Sequence, residues 1–329
     1  MNRSSPHCTP RPLGLDPAIA GTACCVVSSL GYTGANICMR QLADHCDPMW
    51  VIFNKELVTV VPAGLWMLYR ALRGRTVFPS RGALALLIGV GLAVQLGANL
   101  GLQWALGVVG LAIAIPAVFG VMLTASAVLG NVFLGERVSR RSAAAVGLLL
   151  VSLAMLGAAI YAAVEPEASE STRIEPLLLA LGIGVPCAAG AIYAMLTIAI
   201  RRTIAGPTPM STILFTTTVM AVVSLGPLCV YRLGMRQLLD TPPPQLAWML
   251  AAGTLNLIAF LAITKGLELT TVVHVNVLNA TQVALAAVAG MALFDEPLTA
   301  WLITGVALTI VGVVMIDRPA EELEADQHT

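Results

Sequence analysis

Apolar runs of about 18 to 25 residues recur from one end of the chain to the other, broken by short segments of charge, proline and glycine. Cutting at those breaks predicts ten helical spans. They cover residues 17–38, 48–69, 82–103, 109–133, 142–163, 177–200, 209–231, 245–264, 271–293 and 299–316. At a rise of about 1.5 Å per residue, each is long enough for a hydrocarbon layer about 30 Å thick. The span 17–38 is the least hydrophobic, and its leading arginines imitate a signal peptide. Its length and its Tyr32 and Asn36 fit a retained first helix instead.

Composition agrees with the pattern. Apolar residues make up 57% of the chain and charged residues 11%, against about 25% charged in soluble proteins. So little charge cannot cover a soluble surface, and the predicted class is an all-α integral membrane protein. The formal net charge is zero, which gives no support to a nucleic-acid partner. Of the 18 lysines and arginines, thirteen fall in segments that are cytoplasmic if the N-terminus is inside, and four fall outside. The remaining one is Lys55. This bias predicts both termini cytoplasmic, and the expected location is the plasma (inner) membrane. Arg70, Arg73, Arg75 and Arg81 set topology in this scheme and touch anionic headgroups.

The two halves resemble each other. A shift of 161 places Tyr32 on Tyr193, Arg40 on Arg201, Pro48 on Pro209 and Gln95 on Asn256. A shift of 160 places Glu136 on Glu296. Five spans per copy force the second copy to enter the membrane upside down, as in many alternating-access transporters. The predicted organisation is a cytoplasmic N-terminal segment 1–16, a first five-helix repeat 17–164, an acidic extracellular linker 165–176, a second repeat 177–317 and an acidic cytoplasmic tail 318–329.

Spans four and nine end in "VFLGERVSRRSAAAVGLLLVSLAMLGA" and "ALFDEPLTAWLITGVALTIVGVVMI". Each resembles the closing half of an EamA-type repeat, and over residues 17–317 the chain is similar to the drug/metabolite transporter superfamily. The resemblance implies ten transmembrane helices as two inverted EamA-like repeats around a central cavity. It implies substrates among amino acids, other metabolites, nucleotide sugars or cationic drugs. The sequence departs from the family pattern at Leu123 and Val283, where the family often has proline, and at Lys55, where it often has arginine.

Candidate site residues are the polar groups inside the spans. Lys55 and Glu56 stand side by side in "VIFNKELVTVVP". Lys55 lies roughly 10 Å below the surface by the helix rise. Glu56 is expected to point about 100° away from it and to need another partner. At the 161 shift both fall on threonines, Thr216 and Thr217. Gln95, Asn99 and Gln103 recur every four residues, a stripe that reads either as a cavity wall or as interhelical glue. Asn256, and the face formed by Asn276, Asn279 and Gln282, admit the same two readings. Tyr32 and Tyr193 read as gates or as aromatic packing, and Pro116 as a candidate hinge. His274 reads as an interfacial hydrogen-bonding group or a proton relay. Glu136, Asp295 and Glu296 are expected at wet helix corners, each assisting the start of its own next helix.

No paired aspartate cluster, serine-histidine corner or metal-ligand set is present in the sequence, so neither enzyme activity nor a bound cofactor is expected. An intramembrane enzyme and a channel remain as alternatives to a carrier of a small polar organic metabolite. The expected partners are that solute, the lipid bilayer and a second copy through small-residue faces of spans five and ten.

Overall fold

The computed structural model describes residues 17–75, 77, 79–134, 140–163, 176–204, 209–269, 272–297 and 299–315. Nearly all of them lie in ten helices, and no strand occurs among them. The helices are α1 (Pro17–Ala43), α2 (Pro48–Leu72), α3 (Arg81–Val109), α4 (Leu111–Leu134), α5 (Arg140–Ala163), α6 (Pro176–Ile204), α7 (Met210–Leu239), α8 (Pro243–Leu269), α9 (Val272–Phe294) and α10 (Ala300–Met315). The segment 1–16, the linker through 175, Glu136 and the tail from 316 lie outside the described residues.

Local chemistry fixes several ends. Asp47 caps α2 by accepting from Met49 N at 2.9 Å, and Pro48 follows in the first turn, where a missing N–H costs nothing. The α7 helix runs past its expected end at 231 to Leu239, through a break at Gly234 (φ 78°). Within α3, residues Val94–Asn99 widen into a π-turn, a feature the apolar pattern does not encode.

Around an apolar core, burial departs from that of a soluble protein. Leu65, Trp66, Leu68, Leu72, Val223 and Tyr231 are exposed, while Lys55, Glu56, Gln95, Asn99 and Gln103 are buried. Among the described residues, five helices are long and apolar enough to cross a membrane by themselves: α2, α3, α7, and the segments Ala180–Ile200 and Pro243–Gly266 of α6 and α8. The chain is therefore a multi-pass integral membrane protein.

Helix neighbours follow a regular scheme. The packing of α1 on α8 has its counterpart, five helices on, in α6 on α3. Likewise α1–α9 matches α6–α4, α2–α8 matches α7–α3, and α4–α5 matches α9–α10. The pairs α2–α7, α4–α9 and α5–α10 each join a helix to the one five positions later. Gly97 and Gly101 let α3 approach Ile192 and Val185 of α6, as small residues at this spacing do. Between α5 and α10, Leu156 and Leu149 fill the space over Gly305 and Gly312, and Ser152 Oγ donates to Gly305 O at 2.7 Å.

Candidate functional site

The buried charges of α2 lie at the centre of a polar network joining four helices. Lys55 Nζ lies 3.0 Å from Glu56 Oε1, with side chains only 5% and 3% exposed. This corrects the expectation that the two neighbours point apart. Adjacent helical positions do diverge at Cβ, but the four-carbon lysine stem is long and flexible enough to fold back over the next carboxylate. On the opposite helix, Gly253 of α8 lies against the backbone of Lys55, where a Cβ would come within 2.6 Å of Lys55 O. Any side chain there would push α8 off α2.

Asn99 is the junction of the network. Its Nδ2 donates to Glu56 Oε1 (3.2 Å) and to Gln95 Oε1 (2.6 Å), while its Oδ1 accepts from Tyr193 OH at 2.5 Å. Gln95 Nε2 in turn donates to Thr217 O of α7 at 3.2 Å. Tyr32 and Tyr193 both lie within electrostatic reach of Glu56. Gln95 and Asn99 both stand in the π-turn of α3. Such a turn adds a residue to the helical ring, leaves backbone bonding irregular and is common at functional positions.

Two further polar atoms extend the site. The hydroxyls of Ser28 and Thr59 are buried without a hydrogen-bond partner among the described residues. Ser28 is one turn before Tyr32, and Thr59 one turn after Lys55, so both lie on the side of the network toward the C-terminal end of α2. Orphaned hydroxyls in a buried setting call for a water or a solute group.

No hydrogen bond joins the other described candidate residues to this centre. Gln103 continues the stripe but donates to Met39 O of α1 at 2.9 Å, with its Oε1 unpartnered among the described residues. Asn279 and Gln282 bond to each other at 3.1 Å on α9. Asn256 is half-buried on α8, and Pro116 is buried inside α4. The side chains of Asn276 and His274 lie outside the described residues.

Glu296 does something its sequence position does not announce. Its Oε1 and Oε2 accept from Leu111 N (2.7 Å) and Ala112 N (2.8 Å), so it caps α4, more than 180 residues away, instead of the helix that follows it. Gly110 (φ 77°) and Gly290 form the slot, and a Cβ on either would run into the carboxylate. Arg40 of α1 closes the arrangement from Nε to Glu296 Oε1 at 3.3 Å. Its guanidinium also lies 5.2 Å above the Phe294 ring and pairs with Asp44 at 2.7 Å. This clamp joins α1, α4 and the α9–α10 corner at the end of the bundle opposite the orphaned hydroxyls.

Comparison with known proteins places these observations in context. The model of the EamA-like transporter family matches residues 180–317. No curated protein matches the chain. Among 22 matching solved chains, one described only as a crystal structure of a protein has 15% identity and a TM-score of 0.57. That match covers 94% of this chain and 99% of the other, a likeness of fold alone.

Proposed function

We propose, on the match of residues 180–317 to the EamA-like transporter family of the drug/metabolite transporter superfamily, that the whole chain is a ten-span carrier of a small polar organic solute. It is built as two inverted five-helix repeats and works by alternating access. The helix-pairing scheme, in which the most extensive neighbour relations recur five helices later, supports the repeat reading. The bias of lysine and arginine supports an orientation with both termini cytoplasmic, and the proposed location is the inner (plasma) membrane. The segment 165–176 serves as the linker between repeats, and the outer faces of α5 and α10 remain for a homodimer.

The observation that carries the transport reading is the buried Lys55–Glu56 pair beside Asn99, Gln95 and Tyr193. In the empty carrier the two charges neutralise each other, which keeps the desolvated state tolerable. A solute carrying an anionic group displaces the carboxylate from Lys55 Nζ. The freed Glu56 then takes a donor of the solute or a proton. Asn99 follows the exchange through its hydrogen bond to Glu56, and Tyr193 through its bond to Asn99. Without a replacing solute the pair would have to separate unpartnered in a low-dielectric interior, which is costly, so binding and rearrangement are coupled.

Proteoliposomes test this directly. Saturable uptake accelerated by internal unlabelled solute is expected, across a panel of zwitterionic and anionic metabolites. Non-saturating, ion-like conductance would overturn the carrier reading. Transport that survives Lys55→Thr and Glu56→Thr in properly inserted protein would remove the pair from the mechanism.

A further inference from the structure

A second polar feature stands at the C-terminal end of α2, away from the central network. The helix closes on Gly74 (φ 68°), with Gly74 N donating to Ala71 O at 2.9 Å and Arg75 N to Arg70 O at 3.1 Å. That paired closure is a Schellman turn, which requires the positive φ that glycine supplies. It folds the chain back so that Arg75 returns beside Arg70. Together with Arg73, these residues line a pocket of about 220 Å³ whose remaining walls are Trp66 and Tyr69. Arg73 sits over the Tyr69 ring at 5.0 Å, and the Trp66 and Tyr69 rings lie 5.6 Å apart.

Two observations point to an occupant. The lining holds three guanidinium groups and no carboxylate, and none of the three pairs with an acid among the described residues. The Nε of Arg70 is moreover buried without a hydrogen-bond partner there, a donor that an oxyanion would satisfy. Beside the pocket, Leu65, Leu68 and Leu72 are exposed at 63%, 56% and 80%, spaced as one stripe along α2. Arginines placed only for topology need neither a shared pocket nor an adjoining apolar track.

We propose that this pocket binds the phosphate of an anionic phospholipid, whose acyl chains lie along the Leu65–Leu68–Leu72 stripe. The guanidinium fork suits phosphate oxygens, and Trp66 and Tyr69 sit at the headgroup level where amphipathic rings are favoured. The chemistry shared with a free phosphate ester is the oxyanion; the acyl track is what favours the lipid.

The test uses the purified full chain in neutral detergent, with phosphatidylglycerol, phosphatidylcholine and soluble glycerol phosphate as probes. Phosphatidylglycerol is expected to raise the unfolding midpoint by several degrees and to remain bound in native mass spectrometry, while the other two do neither. In Arg70→Gln/Arg73→Gln/Arg75→Gln the retained phosphatidylglycerol should fall about tenfold or more, given the strength of charge-assisted bonds. If that variant does not migrate as folded protein, Arg70→Gln alone is compared with Arg70→Lys. The glutamine variant should lose most of the retained lipid and the lysine variant less. Equal retention of the lipid by wild type and the glutamine variants overturns the proposal. So does equal retention of phosphatidylcholine. A full thermal shift from glycerol phosphate would assign the pocket to a free phosphate ester instead of a lipid.

Discussion

At the scale of single residues, the central pair divides into a part that the fold needs and a part that it does not. Lys55 and Glu56 are buried and mutually paired, so removing either one leaves an uncompensated charge in a low-dielectric setting. Single substitutions to threonine should each destabilise the protein by about 3–5 kcal/mol. The double substitution Lys55→Thr/Glu56→Thr removes both charges at once and installs the residues found at the matching positions, Thr216 and Thr217. It should recover most of that loss, measured by thermal unfolding in detergent as a double-mutant cycle. Transport should not recover with it. A double variant as unstable as the singles would show that the pair holds more than itself together. Tyr193→Phe is the milder probe. It deletes the donor to Asn99 Oδ1, so stability should fall by about 1 kcal/mol. Solute affinity should weaken if Asn99 contacts the cargo, read as a raised half-saturation concentration.

At the scale of elements, the start of α4 depends on a distant corner. Four N–H groups at a helix N-terminus lack intrahelical acceptors, and here Glu296 supplies two carboxylate oxygens to them. Glu296→Ala should therefore cost about 1–3 kcal/mol, from the lost cap and the lost contact with Arg40 together. Gly110→Ala should cost a similar amount by a different route. Its positive φ disfavours any Cβ, and the added methyl would enter the Glu296 seat. Both are checked by thermal unfolding, and a neutral Gly110→Ala would argue that the seat is not tightly held. None of this is written in the local pattern. Ten helices were legible because hydrocarbon thickness imposes a length on every span, and Gln95 and Asn99 were legible because amides facing lipid are costly. The reach of Glu296 to α4 was not legible, since nothing in "FDEPLT" encodes which helix start will lie opposite. The π-turn was equally silent, because it alters the backbone ring without altering the apolar spacing. The Lys55–Glu56 contact depended on a side-chain torsion, which Cβ geometry alone does not fix.

At the scale of the molecule, the two ends of the bundle are unlike. One end is tied by Arg40, Glu296 and the first turn of α4, drawing three helices together. From the network toward the other end run the unsatisfied hydroxyls of Ser28 and Thr59, where water or solute can complete their bonding. A carrier held shut at the tied end, and opening at the other to bring water or solute to these buried hydroxyls, accounts for both facts. Under the alternating access proposed above, the tie must part once per cycle. The consequence can be measured in a variant lacking the native cysteines. Cysteines at positions 40 and 296, joined by a short bis-maleimide, should stop transport, because α1 can no longer leave the α9–α10 corner. A cysteine at position 59, in the same joined protein, should still react with a membrane-impermeant thiol reagent, and from one face only. Joining without loss of transport would place the moving parts elsewhere. Labelling of position 59 from both faces of the joined protein would mean that the clamp does not seal its end.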